Sequence, residues 1–229
     1  MKKIVFTLFS LVILISSCGT TQTSKQTRGT NYAKLYENHP TSILIMPPIN
    51  KTVNVEAKEY FYTSMAMPLA EKGYYVISPF IAMEFLKNES AYDSEMFVEG
   101  NLSAFKEVFG ADAVLFTTIE EWSKSTLANQ ITVKIEYDLK STTTNETLFH
   151  KKGSLTLDLS VQSSSGGLGS LVSLVASAIN TALTDKVIAA RMCNNYVLKD
   201  LPEGKYAPLF EKDKNLAADG EMVSGVVRQ

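Results

Sequence analysis

The sequence is poor in the residues on which redox and metal chemistry usually depend. It holds two cysteines and two histidines in 229 residues, so disulfides cannot organise the fold if one cysteine is modified. His39 and His150 each lack another histidine, a cysteine or a carboxylate at metal-ligand spacing along the chain. The sequence alone therefore predicts no metal site and no cofactor.

Positive charge and long apolar runs are also scarce. Lys and Arg number 22 against 24 Asp and Glu, which gives a net charge of −2. A mildly acidic chain without a basic cluster lacks the electrostatic footprint of a nucleic-acid-binding protein. The apolar run from Ile4 to Ile15 is shorter than the about 20 residues that cross a bilayer. We therefore expect neither a nucleic-acid partner nor a membrane-spanning helix.

Catalytic motifs are equally rare. No serine lies in a Gly-x-Ser-x-Gly turn, and the adjacent Glu120 and Glu121 would point to opposite faces of a strand, so they cannot act as a carboxylate pair. The loop Ser163–Gly169 lies between a predicted strand and a predicted helix, where phosphate-binding loops occur, but no Lys-Ser or Lys-Thr pair follows it. We interpret it as a connecting loop and predict that the protein is not an enzyme.

The amino terminus has the form of a secretory signal. Met1-Lys2-Lys3 precedes the apolar run, and Ile15-Ser16-Ser17-Cys18 follows it. A basic start, a short apolar core and small residues before a cleavage site are typical of such signals. The ending resembles a bacterial lipobox, which implies cleavage before Cys18 and lipid attachment to its thiol. We predict a signal peptide over 1–17 and a membrane anchor at Cys18.

The residues after the anchor are predicted to form a flexible tether over 18–41. The segment is rich in Thr, Gln, Ser and Lys and holds few apolar side chains, so it cannot bury enough surface to offset its ordering entropy. No acidic residue occurs between Cys18 and Glu37. That absence favours retention at the periplasmic face of an outer membrane, because an Asp directly after the anchor or a short acidic run would direct the protein elsewhere.

A single α/β domain is predicted over 42–199, followed by an irregular tail over 200–229 that is rich in Pro, Gly and charge. Continuous apolar runs and period-two alternation indicate strands, and apolar residues at helical spacing indicate helices. The fold class is therefore a mixed β-sheet of about five strands flanked by helices. The predicted strands are 43–46, 74–77, 113–119, 131–139 and 155–161, and the predicted helices are 55–67, 81–87, 102–109 and 168–192.

A candidate interaction loop follows the first strand. Pro47 and Pro48 end that strand, and the loop continues through Asn50 to Val53. A double proline rigidifies an exposed turn; the alternative is that it merely ends the strand. Cys193 is interpreted as a small buried hydrophobic residue, with a reactive or intermolecular thiol as the alternative.

Several segments together carry a family resemblance. They are the run from Ile43 to Asn50, Tyr60-Phe61, Met67 to Val76, Gly110 to Leu115, and Gly204 to Pro208. This pattern, over roughly residues 42–210, resembles the DUF799 family of bacterial lipoproteins, typified by a neisserial surface lipoprotein antigen. One departure is Ala207, where the family more often has another residue before the proline.

The resemblance implies a fold similar to the amino-terminal domain of TolB and to the periplasmic domain of the curli secretion lipoprotein CsgG. It also implies protein partners, namely a CsgG-like lipoprotein and a small accessory lipoprotein, and it carries over no catalytic residue. We therefore predict an outer-membrane-anchored periplasmic lipoprotein that serves as a non-catalytic binding or assembly subunit of an envelope transport or secretion complex. Alternatives are a regulator of cell-wall synthesis enzymes, and a small-ligand receptor or enzyme that uses Ser163–Gly169. Self-association stays open.

Overall fold

A seven-stranded mixed sheet forms the centre of the computed structural model, which describes residues 26–125, 130–158 and 186–228. The strands are β1 (Ser42–Ile45), β2 (Ile49–Asn50), β3 (Tyr75–Val76), β4 (Ala113–Ser125), β5 (Gln130–Ser141), β6 (Thr147–Asp158) and β7 (Met222–Arg228).

Short helices connect and cover these strands. They are α1 (Arg28–Asn31), α2 (Ala33–Asn38), α3 (Ala57–Ser64), α4 (Ala66–Glu71), α5 (Pro79–Asn88), α6 (Ser103–Phe109) and α7, described over 186–197. None of the helices within these described ranges is long and apolar enough to cross a membrane.

The sheet has a parallel part and an antiparallel part. The strand order is β3-β1-β4-β5-β6-β7, and β2 pairs with β4 beyond the end of β1. β1 runs parallel to β3 and β4, β4 through β6 form an antiparallel meander, and β7 runs parallel to β6. The predicted mixed α/β fold is confirmed, as is the predicted antiparallel hairpin of β5 and β6. The structure has two strands more than expected. One is β2, which has only two residues, and the other is β7, which lies in the predicted tail.

Two apolar cores lie on opposite faces of the sheet. The main core joins one face of the whole sheet to α2, α3, α4 and α7. The second core packs α5 and α6 on the other face, against Leu44 and Met46 of the β1 segment and Val114 and Phe116 of β4. β1 is buried at every position because both of its faces are covered. β5 alternates instead, because its outer face carries partly exposed polar side chains.

The structure differs from the predicted tether at residues 28–38. These residues form α1 and α2, with Thr27 in a capping box at the start of α1. Tyr32, Leu35 and Tyr36 are buried in the main core. Their i, i+3, i+4 spacing places the three apolar side chains on one helical face, a signal hidden among polar neighbours. The predicted signal peptide and Cys18 lie outside the described residues.

The predicted irregular tail is packed on the domain in the structure. Residues 201–221 have little regular structure, as expected, but Leu201 is buried and Asp213 is 1% exposed. The chain then forms β7, in register with β6 from Lys152↔Met222 onward. Charged side chains of the tail have buried partners elsewhere in the fold, which composition alone does not reveal.

Proline and glycine set the helix boundaries around Pro68. The predicted helix over 55–67 is interrupted at Met65, and α4 contains Pro68 as its third residue. A proline in the first turn is tolerated because the amide hydrogen that it lacks would have no helical partner there. Gly73 follows the end of α4 with φ 80°, as expected for a glycine stop. Of the predicted helix over 168–192, the described part is helical and extends to residue 197.

Candidate functional site

Helix α5 exposes apolar side chains on faces turned away from the core. Ala82 and Leu86 are buried in the second core, whereas Phe80, Ile81 and Phe85 are 76%, 66% and 40% exposed. A surface helix normally carries polar residues on its outer face. Contiguous exposed apolar residues on a folded domain mark interaction sites more often than isolated ones do.

A narrow apolar cleft extends this surface between α5 and α6. Its volume is about 210 Å³, and Val108 on its α6 side is 53% exposed. Two edge-to-face ring pairs hold its walls, with centroids 5.2 Å apart for Phe85 and Phe109 and 5.1 Å apart for Phe97 and Phe105. We call Phe80, Ile81, Phe85 and Val108 the α5–α6 patch. The cleft is lined by Phe85, Leu86, Glu89, Ala91, Phe97, Ala104, Phe105, Val108 and Phe109.

A second candidate site, polar in character, lies on the outer face of the β5–β6 hairpin. The strand register places Asp138 opposite His150 and Glu136 opposite Lys152. His150 Nδ1 lies 2.7 Å from Asp138 Oδ1, and His150 Nε2 lies 3.2 Å from Glu221 Oε1 and 3.7 Å from Glu136 Oε1. We call His150, Glu136, Asp138 and Glu221 the His150 cluster.

The His150 cluster borders an open cleft of about 340 Å³. Gln26, Asn31, Asp219 and Glu221 contribute polar groups to its walls, and Tyr32 and Phe149 contribute aromatic ones. His150 is 27% exposed and Glu221 is 68% exposed, so solutes reach the imidazole from this side. Imidazole and carboxylate groups of this arrangement are metal ligands by their chemistry.

A network of buried charges lies behind this cleft. Lys151 is fully buried, and its Nζ donates to Asp200 Oδ2 at 2.7 Å, to Tyr32 Oη at 2.9 Å and to the Asp219 carbonyl oxygen at 3.1 Å. Tyr32 Oη donates to the same Asp200 oxygen at 2.5 Å. Burial raises the pKa of Tyr32, and its hydrogen bond to the Asp200 carboxylate raises it further. Every ammonium donor of Lys151 is used, so this network fixes structure and offers no free group to a substrate.

Arg28 and Asp213 extend the network between the amino-terminal helices and the tail. Arg28 donates to Asp213 Oδ2 at 3.1 Å and to Asp200 Oδ1 at 3.3 Å. Tyr36 Oη donates to Asp213 Oδ1 at 2.9 Å, and the Glu203 amide donates to Asp213 Oδ2, also at 2.9 Å. These bonds explain why α1, α2 and the tail are packed on the domain.

The predicted interaction loop is less exposed in the structure than expected. Pro47 and Pro48 are buried, and the Pro47 carbonyl oxygen accepts a hydrogen bond from Ser94 Oγ at 2.5 Å. Asn50 holds the following turn together, since its Oδ1 accepts from Thr52 and its Nδ2 donates to a backbone carbonyl. The double proline therefore ends β1 inside the protein, and the exposed part of the loop is its tip, where Val53 is fully exposed.

The structure also gives the positions of three other candidate residues, Glu120, Glu121 and Cys193. Glu120 pairs with Lys51, and Glu121 pairs with Lys134, so the two carboxylates do not face each other. Cys193 is a free, fully buried cysteine, and burial raises the pKa of its thiol. This confirms its interpretation as a buried small residue. Ser163–Gly169 lies outside the described residues.

Sequence reasoning missed both candidate sites of the structure. The α5–α6 patch has a readable signal, because Phe80, Ile81 and Phe85 lie off the face defined by Ala82 and Leu86. The His150 cluster has a weaker one. Its members come from two strands and the segment before β7, so only the pairing register brings them together.

The chain combines a mixed α/β fold with the sequence motifs of a lipoprotein, and the comparisons with known proteins identify its family. The family profile described as "Putative lipoprotein GNA1162-like" matches residues 30–204. The chain belongs to this family of lipoproteins, as its sequence motifs predicted. The matched range begins in α1 and includes most of the described domain.

Among the relatives is the "Putative lipoprotein NMB1124/NMB1162" of Neisseria meningitidis serogroup B, 32% identical over 158 residues, or 68% of this chain and 73% of the relative. The crystal structure of lipoprotein GNA1162 from Neisseria meningitidis is similar at 27% identity and a TM-score of 0.47, over 63% of this chain and 99% of that one. The PelC dodecamer from Paraburkholderia phytofirmans shares 16% identity at a TM-score of 0.44, over 73% of this chain and 91% of that one.

Proposed function

We propose that this protein is a non-catalytic binding subunit of an envelope transport or secretion complex, anchored through lipid on Cys18. The observation that carries the proposal is the α5–α6 patch. One helix buries Ala82 and Leu86 while it exposes two phenylalanines and an isoleucine to solvent. When a partner covers such side chains, the binding free energy becomes more favourable by about 25 cal/mol for each Å² of apolar surface removed from water.

The surroundings of the patch resemble the rim of a protein–protein interface. Glu84, Lys87 and Glu89 are exposed residues of the α5 segment, and they surround the apolar side chains with both signs of charge. An apolar centre within a polar rim is the usual anatomy of a binding surface between proteins. The occupant that we propose is a second lipoprotein of the same complex, for which the family resemblance implies a CsgG-like protein.

Anchoring would keep the domain close to the membrane. Gln26 already belongs to the packed domain, since its carbonyl oxygen accepts from the Ala218 amide at 2.9 Å. Cys18 precedes it by eight residues, which span at most about 28 Å when fully extended. We propose that Gln26 stays within this distance of the periplasmic face of the outer membrane. A leash of this length raises the effective concentration of a partner on the same membrane.

Affinity purification from crosslinked membranes tests the partner surface. We expect the wild-type chain to retain a second lipoprotein, and the double variant F80D/I81D to lose it by at least about tenfold, since two carboxylates would enter an apolar contact. The matched control is V53D, which places the same charge at the fully exposed tip of the loop after β1.

Binding through the α5–α6 patch and binding through the loop after β1 predict opposite results in this experiment. Loss of the partner in V53D with retention in F80D/I81D would assign binding to the loop and contradict the α5–α6 patch. Recovery of the wild-type chain without any partner would contradict the proposed function itself. Circular dichroism of each variant shows that the fold is intact.

A further inference from the structure

We propose that the His150 cluster binds a divalent transition-metal ion of the Zn²⁺ class, with His150 Nε2, Glu136 and Glu221 as ligands. Asp138 orients the imidazole from the other side of the ring. The site is independent of the α5–α6 patch and of the lipid anchor, and it rests on geometry, charge and access.

The spacing of the ligand atoms fits a tetrahedral ion. Zn²⁺ binds imidazole nitrogen and carboxylate oxygen at about 2.0–2.2 Å, so neighbouring ligands lie about 3.3–3.6 Å apart. From His150 Nε2, the nearest oxygens of Glu221 and Glu136 lie at 3.2 Å and 3.7 Å. These two separations bracket the tetrahedral value, and rotation of the exposed Glu221 side chain would bring its carboxylate and that of Glu136 to one ion.

The opposite side of the imidazole carries the partner that metal-binding histidines usually have. Asp138 Oδ1 lies 2.7 Å from His150 Nδ1, and a carboxylate at that nitrogen fixes the proton there. An ion bound between Glu136 and Glu221 would take the Nε2 lone pair in place of the hydrogen bond that Nε2 shares with Glu221. Such carboxylate–histidine pairs orient the ring and raise its basicity as a ligand.

The cluster also carries an excess of negative charge. Glu136, Asp138 and Glu221 bring three carboxylates to one imidazole, and Lys152 returns one positive charge at 3.4 Å from Glu136. Glu136, Asp138 and His150 each place a ligand atom within 4.8 Å of the others. With a neutral imidazole the four side chains and Lys152 sum to −2, a charge that a divalent ion balances.

Access distinguishes the cluster from a closed structural ion-pair network. His150 and Glu221 line the open cleft of about 340 Å³, so an ion and its water reach Nε2 directly. Three protein ligands with one side open leave a fourth position for water or an exogenous group. Glu221 directly precedes β7, so the bound ion would also tie the start of β7 to the β5–β6 hairpin.

Isothermal titration calorimetry of the lipidated chain in detergent, with ZnCl₂ as the probe, tests the site. We expect one equivalent of Zn²⁺ to bind the wild-type protein with a Kd below about 10 µM. H150A removes the central ligand and should abolish that binding. D138N removes the group that orients the ring and should weaken binding about 10- to 100-fold.

His39 supplies the matched control. It is the other of the two histidines in the chain, its side chain is 45% exposed, and its Nε2 lies 3.4 Å from Glu211 Oε1. H39A should therefore bind Zn²⁺ as the wild type does. Thermal unfolding gives a second readout, because Zn²⁺ should raise the Tm of the wild type and of H39A but leave that of H150A unchanged.

Three results would each overturn the proposal. They are the absence of saturable Zn²⁺ binding to the wild type, equal binding to H150A, and loss of binding in H39A. A lower Tm of H150A with no effect of Zn²⁺ on any variant would identify the cluster as an ion-pair network. Purified protein without a partner suffices, so these outcomes are independent of the proposed function.

Discussion

At the scale of single residues, the unusual feature of this protein is its buried charge. Lys151, Asp200 and Asp213 are each 2% exposed or less. A buried ion pair is stable only when hydrogen bonds satisfy the remaining donors and acceptors. Here those bonds come from Tyr32, Arg28 and the backbone of the tail. The charges therefore specify which distant segments pack together.

Replacing Lys151 should reveal the cost of breaking this network. We expect K151M to lower the free energy of unfolding by about 3–5 kcal/mol, because Asp200 would keep its buried charge without its closest cation. Lys152, the next residue, offers a matched control. Its side chain is 45% exposed and pairs with Glu136 at 3.4 Å, so K152M should cost less than about 1 kcal/mol.

Urea denaturation of the wild type and both variants, followed by circular dichroism, measures the difference. Equal loss of stability in K151M and K152M would show that burial of the Lys151 ammonium group carries no special cost.

At the scale of secondary-structure elements, backbone contacts at the end of α4 determine how the tail packs on the domain. Gly73 ends the α4 turn, and its carbonyl oxygen accepts from the Tyr206 amide at 3.0 Å. The Gly204 amide donates to the Lys72 carbonyl oxygen at 2.7 Å. This contact brings two backbone segments closer than side chains would allow. Glycine at both positions is therefore a packing requirement.

Gly73 and Gly110 form a natural pair for testing that requirement. Both have positive φ, at 80° and 67°, but a Cβ at Gly73 would lie 2.3 Å from the Ala207 nitrogen, whereas one at Gly110 meets nothing within 4 Å. G110A should cost about 1–2 kcal/mol for the left-handed backbone alone.

G73A should cost at least about 2 kcal/mol more, because the tail must move away from α4. Chemical denaturation monitored by tyrosine fluorescence gives both values. If G73A and G110A lose the same stability, the close approach of the tail contributes nothing.

The predictability of the elements from sequence depended on how local their signals were. β1 and the β5–β6 hairpin were predicted because a continuous apolar run and strict alternation each report burial directly. α1 and α2 were missed because only Tyr32, Leu35 and Tyr36 mark the buried face in a polar segment. β7 was missed because its residues become a strand only by pairing with β6.

At the scale of the whole molecule, the two faces of the sheet have different neighbours. The main core covers one face throughout, whereas α5 and α6 cover the other face at β1 and β4. Asp138 of β5 lies opposite Phe116 of β4, so the His150 cluster is on the same face as the second core. The α5–α6 patch and the proposed ion site thus belong to one side of the sheet.

Substitution of each of the two cysteines tests the predicted lipid anchor. We expect C18A to lose metabolic labelling with palmitate and to move from the membrane to the soluble fraction, because the proposed acyl chains would supply the attachment. C193A should keep both the label and the membrane association, since Cys193 is fully buried. Mass spectrometry of the amino-terminal peptide measures the modification directly. Label retained in C18A would contradict the anchor at that residue.

The sequence by itself determined the lipoprotein family, the mixed α/β fold and the antiparallel hairpin of β5 and β6. These properties are encoded in contiguous motifs and in periodicity, which need no knowledge of distant contacts. The tertiary structure decided the rest. It buried Pro47 and Pro48, packed α1 and the tail through Arg28 and Asp213, and brought Asp138 and Glu221 to the two nitrogens of His150. Strand register and long-range charge pairing set these contacts, and neither leaves a local pattern in the chain.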